Sequence, residues 1–424
     1  MKIIVHNGNP EGEVHAPPSK SAMQRACALA LLAKGKSVIR NAGTSNDDKA
    51  ALGVIRNLGA EVNFVRGNTV EITSNGIKNA GEEIYCGESG LGIRMFAPIA
   101  ALSNKEVRIT GSGSLRSRPM DFFDKIFPEL SVKVQTNNGK LPITIKGPLQ
   151  PKNITIDGSL SSQFLTGLLM AYAASGNAKC SIKVNELKSK PYIDLTLEML
   201  KMAGVDVENE NYQYFRFKGN SGEIQPFQYA VEGDWSGAAF FLVAGAVKGN
   251  VTVRGLNIHS FQADKAILQS LKAAGAVMLV KEDFISVSAS ALHAFETDAT
   301  DCPDLFPPLA ALAAYSKGIS KIKGVSRLAH KESHRGLTIQ QELGKLGVEV
   351  KLEGDEMIIK GEKSFHSSIV TSHNDHRIAM MAAVLALGCK ESLTIENAEA
   401  VNKSYPAFFE HLTRLGIRTD INQK

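Results

Sequence analysis

The feature that most restricts the fold is an internal period of about 71 residues. A helix-like tail, a Leu-Gly or Ala-Gly step and an alternating strand recur as IRNLGAEVNFV at 55–65, MLKMAGVDVEN at 199–209, SLKAAGAVMLV at 270–280, ELGKLGVEVKL at 342–352 and HLTRLGIRTDI at 411–421. A degenerate copy, IFPELSVKVQT, stands at 126–136. The anchors Gly59, Ser131, Gly204, Gly275, Gly347 and Gly416 are separated by 72, 73, 71, 72 and 69 residues. A second phrase runs in phase: an Ala-rich apolar helix, a turn at Gly35, Asn104, Gly176, Gly249, Gly318 or Gly388, then a strand. Each repeat therefore reads helix, strand, helix, strand, strand. The first helices are apolar nearly all round and should be buried, while the second are amphipathic and should lie nearer the surface. Strand–helix–strand steps imply parallel pairing and the closing strand pairs imply antiparallel hairpins, so mixed sheets are expected. Glycine after a helix fits a left-handed cap. Six repeats can pack as two groups of three, with a junction near Tyr229–Gly233.

Composition narrows the class. Lys and Arg total 48 against 43 Asp and Glu, a net +5 too mild for a typical nucleic-acid binder. The longest apolar run, near Ala238–Val247, is about ten residues, short of a membrane span. The start MKIIVHNGNP lacks the apolar stretch of a signal peptide. Cys27, Cys86, Cys180, Cys302 and Cys389 are scattered and never in CxxC spacing, as expected for reduced thiols of a cytoplasmic chain.

The informative side chains stand at helix starts. Capping accounts for Ser45, Asp47, Asp264 and Ser404. It does not account for Lys20, Arg116, Arg118, Lys190, Lys331, Arg335, Arg377 and Lys403, because a cation at a helix N-terminus opposes the macrodipole. A recurring set of such cations, with free amides, points to small ligands carrying several phosphates or carboxylates. Gly90 lets backbone approach such a ligand. Asp304 and Glu332 share this setting. Beside Lys331, Arg335 and Lys20 a carboxylate stays ionised and can serve as a base, although a helix cap (Asp304) or a surface pair with Arg335 (Glu332) is the plainer reading. His376 is read as a hydrogen-bonded core imidazole ahead of an acid–base group. His373 and His376 have HxxH spacing without a third ligand nearby, so no metal site is expected. GxxxxGK[ST] is absent, and GSGSLRSRP at 111–119 lacks the strand–GxGxxG–helix context of a dinucleotide site.

These residues fall in nine ordered stretches: PPSKSAMQRA, SGLGIR, SLRSRPM, SLSSQFLTGLLMA, SKPYIDLTL, PDLFP, HKESHR, NDHRIAM and NKSYPAFFEHL. Over essentially its whole length the chain resembles the EPSP synthases, the 3-phosphoshikimate 1-carboxyvinyltransferases of the enolpyruvyl transferase family. The resemblance implies an α/β fold of two domains, each an inside-out α/β barrel (prism) of three βαβαββ repeats with mixed sheets. Residues 1–13 and 230–424 would form one domain and 14–229 the other, with the active site in the interdomain cleft and domain closure on ligand binding. It implies transfer of the enolpyruvyl group of phosphoenolpyruvate to the 5-hydroxyl of shikimate 3-phosphate, on the route to chorismate and aromatic amino acids. No metal or organic cofactor is implied, nor a nucleic-acid or membrane partner. A monomer is expected, and the family is the target of glyphosate.

Matched motif by motif, Lys20, Ser21, Arg25, Ser161, Ser162, Gln163, Ser189, Tyr192, Asp304 and Lys331 would contact shikimate 3-phosphate. Lys20, Gly90, Arg118, Gln163, Arg335, Arg377 and Lys403 would contact phosphoenolpyruvate. Asp304 corresponds to the family's proton acceptor, and Glu332 or Lys20 would protonate the methylene carbon. One stretch departs from the family: Glu88-Ser89-Gly90-Leu91 replaces the usual Asn-Ala-Gly-Thr, retaining Gly90 and Arg94. The related UDP-N-acetylglucosamine enolpyruvyl transferases carry a reactive cysteine in the loop matching 111–119, which has none here. A non-catalytic anion-binding repeat protein is the remaining alternative, disfavoured by carboxylates among the cations.

Overall fold

The computed structural model describes residues 1–77, 81–176, 179–219, 223–362 and 364–422. Among the described residues, six four-stranded sheets repeat one strand pattern. In the third repeat, Ile154–Asp157 runs parallel to Lys179–Asn185 across the helix Ser162–Ala174. Lys179–Asn185 then pairs antiparallel with Tyr214–Lys218, which pairs antiparallel with the edge strand Glu208–Glu210. The second helix, Lys190–Met202, links the inner strand to that edge. This is the βαβαββ repeat with its mixed sheet.

Three sheets borrow a strand from a distant part of the chain. Gln228–Ala230 supplies the parallel edge beside Lys34–Arg40, and Glu11–His15 does the same beside Asn250–Arg254. Lys2–His6 lies between Ser392–Glu396 and Thr419–Asn422, antiparallel to both. The chain thereby forms two compact units: a terminal unit of Met1–Pro17 with Glu232–Lys424, and a central unit of Pro18–Val231. The divisions fall a few residues beyond 13 and 229, and hydrogen bonds show why. Ala16 N donates to Arg254 O (2.9 Å) and Asp234 N to Pro17 O (2.7 Å), whereas Val231 N donates to Arg40 O (2.9 Å).

Within each unit helices are inside and sheets outside. Every residue of the first helix Gly90–Ala100 is buried, and Lys20–Leu32, Ser162–Ala174, Trp235–Lys248 and His376–Ala386 are buried nearly throughout. Strands bury alternate residues only, as in Lys179–Asn185, where Cys180, Ile182 and Val184 face in. Gly167 lets two first helices meet closely: a Cβ there would lie 2.7 Å from Arg94 O. Among the described residues no helix is long and apolar enough to cross a membrane.

The six anchors after the second helices share a left-handed backbone, φ 107° at Gly59, 87° at Gly204, Gly347 and Gly416, 83° at Gly275, and 64° at Ser131. The degenerate copy keeps the geometry without the glycine. The turns after the first helices are mixed: Gly35 (φ 132°), Gly176 (φ 72°) and Gly318 (φ 111°) share the positive φ, but Gly249 does not. Gly249 has φ −134°; a side chain there would meet Pro10 O at 2.1 Å, so close packing rather than handedness selects glycine. A left-handed L-residue costs roughly 1–2 kcal/mol, partly offset by the extra chain entropy glycine loses on folding. Ser131→Gly should therefore stabilise the central unit by about 0.5 kcal/mol, read as a higher denaturation midpoint. An unchanged or lower midpoint would contradict strain at this cap.

Candidate active site

Each unit gathers its own set of polar side chains. In the terminal unit the centre is Arg335, the first residue of the helix Arg335–Lys345, whose side chain is 0% exposed. Its guanidinium meets three carboxylates. Nε donates to Asp375 Oδ2 (2.9 Å), Nη1 to Asp304 Oδ1 (2.8 Å) and Nη2 to Glu332 Oε2 (2.6 Å), with a second Nη2 bond to Asp375 Oδ1 (3.2 Å). Asp304 also receives Lys331 Nζ (3.2 Å) and Arg377 Nη2 (3.0 Å). Burial opposes its ionisation, but Arg377, Lys331 and Arg335 outweigh burial and hold its carboxyl well below the usual carboxylate range. Its side chain remains 23% exposed, so this carboxylate is open to a ligand. Burial drives Lys331 down to about 8, with Asp304 opposing and Arg335 adding to the fall.

Arg377, the second residue of His376–Ala386, donates to Ser236 Oγ from Nε (3.1 Å) and Nη2 (2.8 Å). His376 is 1% exposed, with Nε2 2.6 Å from Arg377 Nη1, so the core-imidazole reading fits. Lys403 Nζ donates to Asn374 O (2.5 Å). Asp375 caps the helix through Arg377 N (3.0 Å) while binding Arg335, so one carboxylate fixes two cations.

In the central unit Lys20 opens the helix Lys20–Leu32, capped by Ser19, and its Nζ lies 2.9 Å from Asp47 Oδ2. Arg25, 1% exposed, is held by neutral groups: Nε donates to Thr196 Oγ1 (2.9 Å), Nη1 to Ser21 O (2.9 Å) and Nη2 to Tyr192 O (3.1 Å). Burial lowers its pKa to about 10. Its guanidinium sits 5.8 Å from the Tyr192 ring centre. Ser161 caps the helix Ser162–Ala174, its Oγ accepting from Gln163 N (3.3 Å); Ser162 is buried beside it. Gln163 Oε1 accepts from Arg94 Nη1 (2.9 Å). Gly90 completes this group, since a Cβ there would lie 2.5 Å from Arg118 Nη1 and 3.6 Å from both Arg94 Nη1 and Gln163 Oε1. Ser189 is buried in a left-handed conformation (φ 55°) just before Lys190–Met202.

The expected caps divide. Ser45 caps its helix in a capping box with Asp48. Asp47 instead pairs with Lys20, Asp264 lies in a short 3-10 turn without a side-chain cap bond, and Ser404 follows such a turn. Asp304 is likewise no cap, and the Glu332–Arg335 pair is buried rather than superficial. Arg116 and Lys190 are exposed. Arg94, Ser236 and Asp375 join the groups without having been assigned a role, although Arg94 lies in SGLGIR and Asp375 in NDHRIAM. At the departure from the family, Ser89 caps Gly90–Ala100 and donates to Gln24 Oε1 (3.0 Å), Leu91 is buried, and Glu88 Oε2 accepts from Ser114 N (3.4 Å).

The family model for EPSP synthase (3-phosphoshikimate 1-carboxyvinyltransferase) matches residues 5–412. The chain belongs to this family. It is 40% identical to a 3-phosphoshikimate 1-carboxyvinyltransferase of Clostridium novyi, over 98% of this chain and 97% of that protein. It is 38% identical to the protein of that name from Aeropyrum pernix, over 99% and 96%. The solved EPSP synthase of Acinetobacter baumannii superposes with a TM-score of 0.82 at 26% identity, covering 99% of this chain and all of that one.

The buried Arg335–Asp375 pair yields a stability test. Removing one partner of a buried, bonded pair costs about 3–5 kcal/mol. Asp375→Ala should destabilise the protein by that order in urea unfolding, and Ser333→Ala, which loses only a 3.3 Å bond to Asp375, by about 1 kcal/mol or less. Equal effects would contradict the weight given to the ion pair.

Proposed function

We propose that this chain transfers the enolpyruvyl group of phosphoenolpyruvate to the 5-hydroxyl of shikimate 3-phosphate. One observation carries the reading: a partly exposed, ionised Asp304 held among Arg335, Lys331 and Arg377. A protein built only to bind anions gains nothing from a carboxylate there. A transferase needs one, because a base must meet an alcohol beside anionic substrates.

The substrate's 5-oxygen attacks the central carbon of phosphoenolpyruvate while Asp304 takes the hydroxyl proton. The methylene carbon gains a proton from Glu332 or Lys20, giving a tetrahedral intermediate. Loss of a methyl proton and cleavage of the carbon–oxygen bond to phosphate then yield the enol ether product and free phosphate. Arg118, Arg335, Arg377 and Lys403 stabilise the phosphate and carboxylate of phosphoenolpyruvate, with Gly90 giving backbone access. Gln163 and Lys20 serve both substrates. Ser21, Arg25, Ser161, Ser162, Ser189, Tyr192 and Lys331 hold and orient shikimate 3-phosphate. The steps call for no metal or organic cofactor. The protein acts as a cytoplasmic monomer on small molecules alone. Chemistry through a reactive cysteine is disfavoured: Cys86 is buried, and burial pushes its thiol up to about 12.

Phosphate release from phosphoenolpyruvate, measured with and without shikimate 3-phosphate, tests the proposal. Release should depend wholly on shikimate 3-phosphate, and release without it sinks the reading. Asp304→Ala should lower kcat by about 10³-fold or more while shikimate 3-phosphate still binds; near wild-type turnover would remove Asp304 from its role.

Lys331 sets a pH limit. Its pKa in the folded protein, about 8, lies below the ordinary lysine value, so the charge is present below about 8 and lost as pH rises through it. kcat/KM for shikimate 3-phosphate should therefore fall above about pH 8. kcat should fall at higher pH, because a bound phosphate favours the protonated lysine. Lys331→Arg should remove the first fall, and a wild-type profile flat through pH 9.5 or so would contradict the assignment.

A further inference from the structure

The helix Arg335–Lys345 is attached to the segment Thr371–Arg377 at two points. At its start Arg335 binds Asp375. Two turns on, and on the same face at i+7, Glu342 accepts from Thr371 N at Oε2 (3.1 Å) and bonds His373 Nε2 at Oε1 (2.7 Å). Its side chain is 1% exposed; the other partner is Lys345 Nζ (2.9 and 2.8 Å), which is 34% exposed at the rim.

Between these two attachments the chain makes an unfavourable turn. His373 (φ 50°) and Asn374 (φ 56°) are consecutive left-handed residues, neither of them glycine. Such backbone persists only where its surroundings over-determine it. The turn presents Asn374 O to Lys403 Nζ, then Asp375 to Arg335, and then continues into Arg377. All three cations assigned to phosphoenolpyruvate in this unit are thus placed through one strained segment, and Glu342 braces it without touching any of them.

We infer that Glu342, acting through Thr371 and His373, is a positioning residue that sets Arg335, Arg377 and Lys403 in register for phosphoenolpyruvate. The inference rests on the enolpyruvyl-transfer reading above. A buried carboxylate is costly unless fully bonded, and two of the partners it bonds here, Thr371 and His373, lie at the entry to the turn.

The test is steady-state kinetics on the full chain, varying each substrate separately. Glu342→Ala should raise KM for phosphoenolpyruvate about tenfold, the size of effect that residues remote from a ligand produce. KM for shikimate 3-phosphate should stay within about twofold. His373→Ala should shift the same parameter in the same direction. The double variant should be no worse than Glu342→Ala, because both cut one chain of contacts. Glu342→Gln, which keeps an acceptor, should recover part of the loss. Lys345→Ala, which spares both attachments, should resemble wild type. An unchanged KM for phosphoenolpyruvate in folded Glu342→Ala overturns the inference. So does an equal fall in kcat/KM for both substrates that follows only the folded fraction. If Glu342→Ala does not fold, Glu342→Gln and His373→Ala carry the same comparison. A wild-type protein without phosphate release dependent on shikimate 3-phosphate would instead overturn the underlying reading.

Discussion

A single guanidinium, Arg335, organises the terminal unit's site. It is fully buried at a helix N-terminus, where the dipole disfavours it, and is kept there by Asp304, Glu332 and Asp375. Burial alone would weaken its charge, and the three carboxylates more than restore it. Each carboxylate is fixed in turn. Asp375 caps the next helix, Glu332 is drawn in beside the same helix start, and Asp304 is left partly open with its charge enforced. The proposed base, one of the two proposed proton donors and the cations proposed to bind phosphoenolpyruvate in this unit are therefore one network, whose members cannot shift independently.

Much of the fold was legible because it repeats. Apolar first helices, amphipathic second helices and closing strand pairs recur at a fixed period, and each physical rule was tested six times over. The strand exchange was not legible from periodicity. Glu11–His15 and Gln228–Ala230 are short, and their partners lie more than two hundred and nearly two hundred residues away in the chain. Ser131 shows the converse, a left-handed cap visible only through its alignment with five glycines.

The site was legible in its cations and opaque in their supports. Lys20, Arg335 and Arg377 stood out because their charge sits where a helix start disfavours it; Lys403, read by the same rule, closes a short 3-10 turn instead. Arg116 and Lys190 satisfied the same rule and proved exposed, since a helix-start position says nothing about the direction of a long side chain. Asp375 stands at a helix start and Glu342 on an amphipathic helix, and neither position reveals its partners. Their partners come from segments about 30 to 40 residues away, a pairing no local pattern encodes. The left-handed His373–Asn374 turn is likewise silent in sequence, because neither residue is glycine.

The central claim is that Asp304 stays ionised among three cations and so is ready to take a proton. Carbon-13 NMR of side-chain-labelled aspartates, with the Asp304 signal assigned by its loss in Asp304→Asn, measures this directly. The account predicts a carboxylate resonance that does not titrate from neutral pH down to the acid limit of the folded protein. A titration with a midpoint at or above the ordinary aspartate value of about 3.9 would contradict it.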